Sequence, residues 1–212
     1  DWTVNTTFFQ DKIPNASVAV VLPKHSDSPE TFGFTFGAKG DGVADDAPAL
    51  QRAVDAGQRL GRAVFVPAGL YLLNSTLVVR ADFTGRDDYG IPGDGHHNSS
   101  LRLLGEGMQL TQLRAVSNTM IAVISFARGP GFEAGQAEQH EVTDLLLNGS
   151  NLATYAVHAP GICRTIFSRV HVYGSVQAAF LLYGWINRVE QCQIEMCGQA
   201  LARKPPLGNN TS

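Results

Sequence analysis

The chain has 212 residues, 44% of them apolar, and a formal net charge of −3. That length and composition carry one domain with a substantial core, and the mildly acidic balance gives no electrostatic drive toward nucleic acid or an anionic membrane. No run approaches 18 apolar residues, so no membrane-spanning helix is expected.

Residues 1–35 read as an N-terminal arm. Within it, Ser17-Val18-Ala19-Val20-Val21-Leu22 is β-prone. It is expected to pair with the chain's own first turn or to add to an exposed edge of a neighbouring copy. Gly37, Gly40 and Gly42 follow and permit sharp turns through positive φ. The spacing of Leu50, Ala53, Val54, Gly57 and Leu60 then predicts a helix over about 46–60. Asp45 or Asp46 stands where a carboxylate accepts first-turn N–H groups, Pro48 suits that first turn, and Gly61 closes the helix. Val64–Val66, Leu70–Leu73 and Thr76–Val79 read as short strands. A phosphate cradle is the competing reading of the glycines. It fails because no Gly-Lys-Ser/Thr ending follows and Asp45 and Asp46 occupy the place of the phosphate charge.

Asp82 to Ser100 is a long polar loop with Asp87, Asp88, Asp94, His96 and His97. Its carboxylates could hold calcium and its histidines a transition metal. No named ligand order is present, and a glycosylated surface loop is the alternative, since Asn98 lies in a sequon. No other cofactor is expected. Seven of the ten asparagines lie in Asn-x-Ser/Thr: Asn5, Asn15, Asn74, Asn98, Asn148, Asn209 and Asn210. The Ser and Thr content predicts about one such match by chance, so the excess points to a secreted, N-glycosylated extracellular protein.

In the second half, Gly149, Gly174 and Gly198 each end a similar run, VTDLLLNG, FSRVHVYG and QCQIEMCG, spaced 25 and 24 residues apart. Stacked coils of that length are the signature of a solenoid. Aligned on the glycines, Leu145, Val170 and Ile194 form one inward column and Leu147, Val172 and Met196 another. Thr143, Ser168 and Cys192 share that parity, so Cys192 is expected to be buried. Asp144, Arg169 and Gln193 form one outward column, and Leu146, His171 and Glu195 the other. Leu101–Gly105 and Val123–Gly129 read as weaker members of the same run. Tyr155–His158 and Ala179–Leu182 suggest a second strand per turn. A β-sandwich would need antiparallel partners at that register, so a coil is preferred. Three cysteines, Cys163, Cys192 and Cys197, leave at least one unpaired within the chain. The polar stretch 204–212 reads as a tail beyond a coil domain spanning 36–203, with its rungs over about 62–200.

The order Gly40-Asp41-Gly42-x-x-Asp45-Asp46, then a helix, then Pro67-Ala68-Gly69-x-Tyr71 resembles the opening of the pectate-lyase and polygalacturonase superfamily. That resemblance implies an all-β fold, a right-handed single-stranded parallel β-helix with an N-terminal capping α-helix. It implies a carbohydrate-facing scaffold and leaves the activity open. The Asn-Thr-Asp, Gly-His-Gly and Arg-Ile-Lys runs of polygalacturonases are absent, and Asp45-Asp46 belongs to the helix start. Whether the chain is an enzyme is therefore open. The outward residues Asp144, Arg169, His171 and Glu195 are the weak catalytic candidates, with a solvated charge ladder as the alternative. The expected function is a structural or polysaccharide-associated module of the extracellular matrix. Its partners would be N-linked glycans, extracellular polysaccharide, and other copies joined into an oligomer or filament by end-to-end or strand-addition contacts. The alternatives are a fragment of a polysaccharide lyase or glycoside hydrolase acting on uronic-acid-rich chains, and a non-catalytic carbohydrate-binding domain.

Overall fold

A computed structural model describes residues 19–21, 33–80, 100–127, 137–184 and 186–198. The elements run β1 (Ala19–Val21), β2 (Gly33–Thr35), β3 (Asp41–Asp45), α1 (Ala47–Leu60), β4 (Ala63–Val66), β5 (Gly69–Leu73), β6 (Leu77–Arg80), β7 (Arg102–Gly105), β8 (Thr111–Ala115) and β9 (Ala122–Ala127). They continue with β10 (Ala137–Glu138), β11 (Glu141–Asn148), β12 (Tyr155–Pro160), β13 (Ile162–Cys163), β14 (Ile166–Tyr173), β15 (Ala178–Tyr183), β16 (Arg188–Glu190) and β17 (Gln193–Glu195). Among the described residues, apart from β1, whose pairings are antiparallel, every strand pairing is parallel, between one turn of the coil and the next. The fold is the expected parallel β-helix, with one helix among the described residues, at its N-terminal side.

Three faces build each rung. The first stacks β4, β7, the first half of β11, the first half of β14, and β16. The second stacks β3, β5, β8, the second halves of β11 and β14, and β17. The third stacks β6, β9, β12 and β15. Inward residues line up along the coil. Val64, Leu103, Val142 and Phe167 form one buried column, and Tyr71, Leu113, Leu147 and Val172 a second. Each such side chain removed from water contributes about 1.5–3 kcal/mol, which is the main force holding the rungs in register.

β11 and β14 serve two faces because each is bent at a left-handed residue, Asp144 (φ 58°) and Arg169 (φ 50°). Gln191 (φ 52°) makes the same corner between β16 and β17. In the two earlier rungs that corner is Pro67-Ala68 and the 106–110 loop. The corner corrects three sequence expectations. Gly105 is a corner residue, not a rung-end glycine like Gly149, because Leu104 pairs with Thr143. Val123–Gly129 belongs to the third face, where β9 pairs with β6 and β12. In the last rung the register is two residues off the glycine alignment: Ser168 pairs with Glu190 and Val172 with Ile194. Cys192 is consequently half-buried at the corner, its Sγ donating to Phe167 O at 3.4 Å and Glu190 O at 3.3 Å. Burial raises its thiol pKa. Met196 leaves the inward column and is exposed at the coil end.

The two aspartates divide the work expected of one. Asp45 Oδ1 accepts from Ala47 N, the first N–H of α1, at 3.1 Å, and also from Asn74 N at 3.2 Å. Asp46 is buried and turned the other way, accepting from Lys39 N at 2.7 Å and Gly40 N at 3.0 Å. It therefore pins the glycine turn onto the coil. Gly40 needs to be glycine twice over: its φ is 62°, and a Cβ there would sit 2.8 Å from Cζ of buried Tyr71.

At the N-terminal end the open strand edges are taken up by different devices. β1 adds antiparallel to β4, confirming the pairing of the arm with the chain's own first turn. α1 covers β6 with two glutamines. Gln51 donates to Val78 O and accepts from Val78 N, both at 2.8 Å. Gln58 does the same with Arg80, at 2.8 and 3.1 Å. Each side-chain amide thus replaces a missing strand's peptide group. On β3, the Asp41 carboxylate accepts from Val43 N and Ala44 N, both at 2.9 Å.

Candidate functional site

The expected outward pairs separate into two different things. Asp144 and Arg169, on the left-handed corner of neighbouring rungs, form a two-point ion pair: Nε to Oδ1 at 2.6 Å and Nη2 to Oδ2 at 2.7 Å. Arg169 Nη2 also donates to Thr143 Oγ1 at 3.0 Å. The hydrogen bonds from Arg169 lower the Asp144 pKa, and the same bonds raise that of Arg169. Both groups spend their bonding capacity on each other, at a half-exposed site. That is the ladder reading, a surface clasp across the corner.

His171 is different. The alternation places it on the outward row Leu70, Gln112, Leu146, His171 and Gln193, yet it is only 6% exposed. Gln109, from the corner loop between β7 and β8, reaches over the row, and its Nε2 donates to His171 Nδ1 at 3.0 Å. With Nδ1 as acceptor, the neutral ring carries its proton on Nε2. Nε2 is buried without a hydrogen-bond partner and faces Glu195 Oε1 at 3.7 Å. Glu195 is partly exposed and takes a short contact from Gln193 Nε2. The Tyr173 ring stands edge-on to the imidazole with centroids 6.5 Å apart.

The neighbouring outward row runs Leu72, Arg114, Asn148, Tyr173 and Glu195. Gln112 ties the two rows together: its amide oxygen accepts from Asn148 Nδ2 at 2.8 Å and from Arg114 Nη2 and Nε at 3.1 and 3.2 Å. Among the described residues the outward rows of the second face therefore present one cation, Arg114, held by an amide, with an aromatic hydroxyl and a histidine with a buried N–H two rungs along and a carboxylate three rungs along. Sequence reasoning named His171 and Glu195 and missed Gln109, Gln112, Arg114 and Tyr173. The signal was the Thr111–Ala115 run, hidden once Gly105 was taken for a rung end.

Asp87, Asp88, Asp94, His96 and His97 lie outside the described residues. Among the described residues no group of three or more His, Cys, Asp or Glu could hold a metal ion. Of the sequon asparagines, Asn74 is exposed in the turn before β6. Asn148 is only 8% exposed, with its Oδ1 accepting from Ser150 N at 2.8 Å. Asn5, Asn15, Asn98, Asn209 and Asn210 lie outside the described residues. No helix among the described residues is long and apolar enough to cross a membrane.

Comparison with known proteins matches residues 34–137 to the family described as rhamnogalacturonase A/epimerase, pectate lyase-like. Mannuronan C5-epimerase AlgE3 of Azotobacter vinelandii is 31% identical over 118 residues, 54% of this chain and 6% of that protein. Mannuronan C5-epimerase AlgE6 of the same organism is 30% identical over 151 residues, 65% of this chain and 16% of its own length. A glucan 1,3-beta-glucosidase of Cochliobolus carbonum is 41% identical over 54 residues, 20% of this chain and 7% of the enzyme. The chain thus spans a small part of the curated relatives it matches. Among solved structures, ORF18 of Geobacillus virus E2 shares the fold with a TM-score of 0.50 at 23% identity, over 67% of this chain and 25% of that one.

Proposed function

Because the chain belongs to the pectate-lyase-like β-helix superfamily, we propose that it is a secreted, N-glycosylated module that holds uronic-acid-rich polysaccharide against its second face. The observation that carries this reading is Arg114. It is the cation on the outward rows of that face among the described residues, and Gln112 holds its guanidinium through Nη2 and Nε. A guanidinium so held suits the planar carboxylate of a uronate. Tyr173 supplies a hydroxyl on the same outward row two rungs from Arg114, at ~4.8 Å per rung, and Gln193 an amide on the neighbouring row, so that a sugar chain can lie along the coil. The similarity to mannuronan C5-epimerases supports a uronan as the ligand class, and the sequon excess supports the extracellular matrix as its setting.

Affinity electrophoresis in gels holding a polyuronate, with a neutral glucan as control, tests the reading. Retardation in the polyuronate gel alone is expected, with Arg114→Ala weakening binding about tenfold or more. Equal retardation in both gels, or binding indifferent to Arg114→Ala, sinks it.

One observation favours a second, catalytic reading: the buried His171 Nε2 facing Glu195, on the same face as Arg114, two and three rungs further along the coil. An imidazole and a carboxylate on a face that holds uronate suit proton transfer at the carbon next to a uronate carboxyl. Release of unsaturated product, or exchange of that proton with deuterated solvent, lost in His171→Gln, would rank catalysis above simple holding. Absence of both in the wild-type chain leaves the binding role alone.

A further inference from the structure

The last described rung ends in β16 and β17, two three-residue strands joined at the left-handed corner residue Gln191. Among the described residues each pairs on one side only, with β14. Val189 lies against Phe167 and Ile194 against Val172, both fully buried, so these two side chains point into the coil. They are nonetheless 43% and 53% exposed. Arg188 N donates to Thr165 O at 2.9 Å, and Glu195 O accepts from Gly174 N at 3.1 Å. Successive residues of a strand aim their peptide groups to opposite sides, so Val189 and Ile194 direct both N–H and C=O away from the rung beneath. Such an edge is a template for another chain.

The edge is complementary to itself in reverse. Arg188 to Glu195 reads Arg-Val-Glu-Gln-Cys-Gln-Ile-Glu. Laid antiparallel on a second copy about its midpoint, Arg188 meets the partner's Glu195, Val189 meets the partner's Ile194, and Glu190 meets the partner's Gln193. The one pair whose peptide groups face each other, Val189 with Ile194, is also the apolar inward pair. It would exchange both backbone hydrogen bonds and extend two interior columns across the junction. The outward pair carries opposite charges. A twofold axis in the end plane, along the bisector of the Gln191 corner, exchanges the two arms, so a bent edge can meet its own image. The other end offers no such match, since β1, α1 and Asp41 already occupy its edges.

We propose that two copies of this chain join tail to tail through residues 188–195, forming a closed twofold dimer and not a head-to-tail filament. The inference is independent of the polysaccharide reading. Light scattering on the eluting 212-residue chain should give twice 22.7 kDa at micromolar concentration and dissociation on dilution. Arg188→Glu puts like charges opposite each other twice per dimer and should weaken association on the order of tenfold. Adding Glu195→Arg restores an opposite pair and should recover the dimer. Both positions are exposed, so circular dichroism should show all three chains equally folded. A monomer at every concentration, expected if other residues of the same chain cover this end, overturns the proposal. So does a dimer indifferent to Arg188→Glu, or one that the second change fails to rescue.

Discussion

Asn148 uses both ends of its side-chain amide inside the protein: Oδ1 accepts from Ser150 N, and Nδ2 donates to Gln112. A glycan on that nitrogen would break the bond to Gln112 and require open space where the rung is closed. Glycopeptide mass spectrometry on the secreted protein should find Asn74 occupied and Asn148 bare. Occupancy at Asn148 would mean that the second face is built differently. His140 carries a second residue-level consequence. It is 1% exposed, its Nδ1 accepts from Leu101 N at 3.0 Å, and it packs edge-on to Phe126. Burial lowers its pKa to about 4. The folded state therefore keeps the ring neutral while the unfolded state takes up a proton near pH 6.5. Stability should fall as pH drops from about 6.5 to about 4 and level off below, losing about 3 kcal/mol from this group. Urea melts across that window check it. His140→Leu should flatten this part of the profile while costing about 1–3 kcal/mol at neutral pH through the orphaned Leu101 N–H. An unchanged slope would show that other groups carry the pH dependence.

Among the elements, α1 was the most legible in the sequence and its task the least. Its apolar stripe, Pro48 and Gly61 fix its limits within a residue. Nothing in that stripe says that Gln51 and Gln58 stand in for a strand, because both look like ordinary surface glutamines until β6 is placed beside them. Replacing both by leucine keeps helix propensity and removes four hydrogen bonds to β6. The expected loss is about 2–5 kcal/mol, given the usual net worth of each bond and one of the pair being buried. Chemical denaturation measures it, and a loss under 1 kcal/mol would mean that water serves the β6 edge equally well. The strands show the opposite pattern. Their apolar alternation was readable, and Tyr155–His158 and Ala179–Leu182 fell into neighbouring rungs of one face as anticipated. Their register was not readable wherever a left-handed corner interrupts the alternation, which is why the columns holding Cys192 and Ile194 were displaced by two residues.

At the scale of the whole molecule, the coil was legible because stacking forces apolar residues to recur in columns, and columns survive changes in loop length. The site was not, because it is assembled from four rungs whose starts, Arg102, Glu141, Ile166 and Arg188 on the first face, are unevenly spaced. Arg114 and His171 are brought to one surface by that stacking and by Gln109, and no local pattern announces either. The N-terminal closure has a further consequence for biogenesis. A polypeptide leaves the ribosome N-terminus first, so the floor of this coil exists before any storey above it. Each new turn then meets a finished surface, and at any moment only one growing edge is open to misassociation. Stalled nascent chains of increasing length should gain protease resistance in steps, one per rung, beginning once β4 to β6 have emerged. Resistance arriving all at once, with the final rung, would show that the coil instead sets as a single unit.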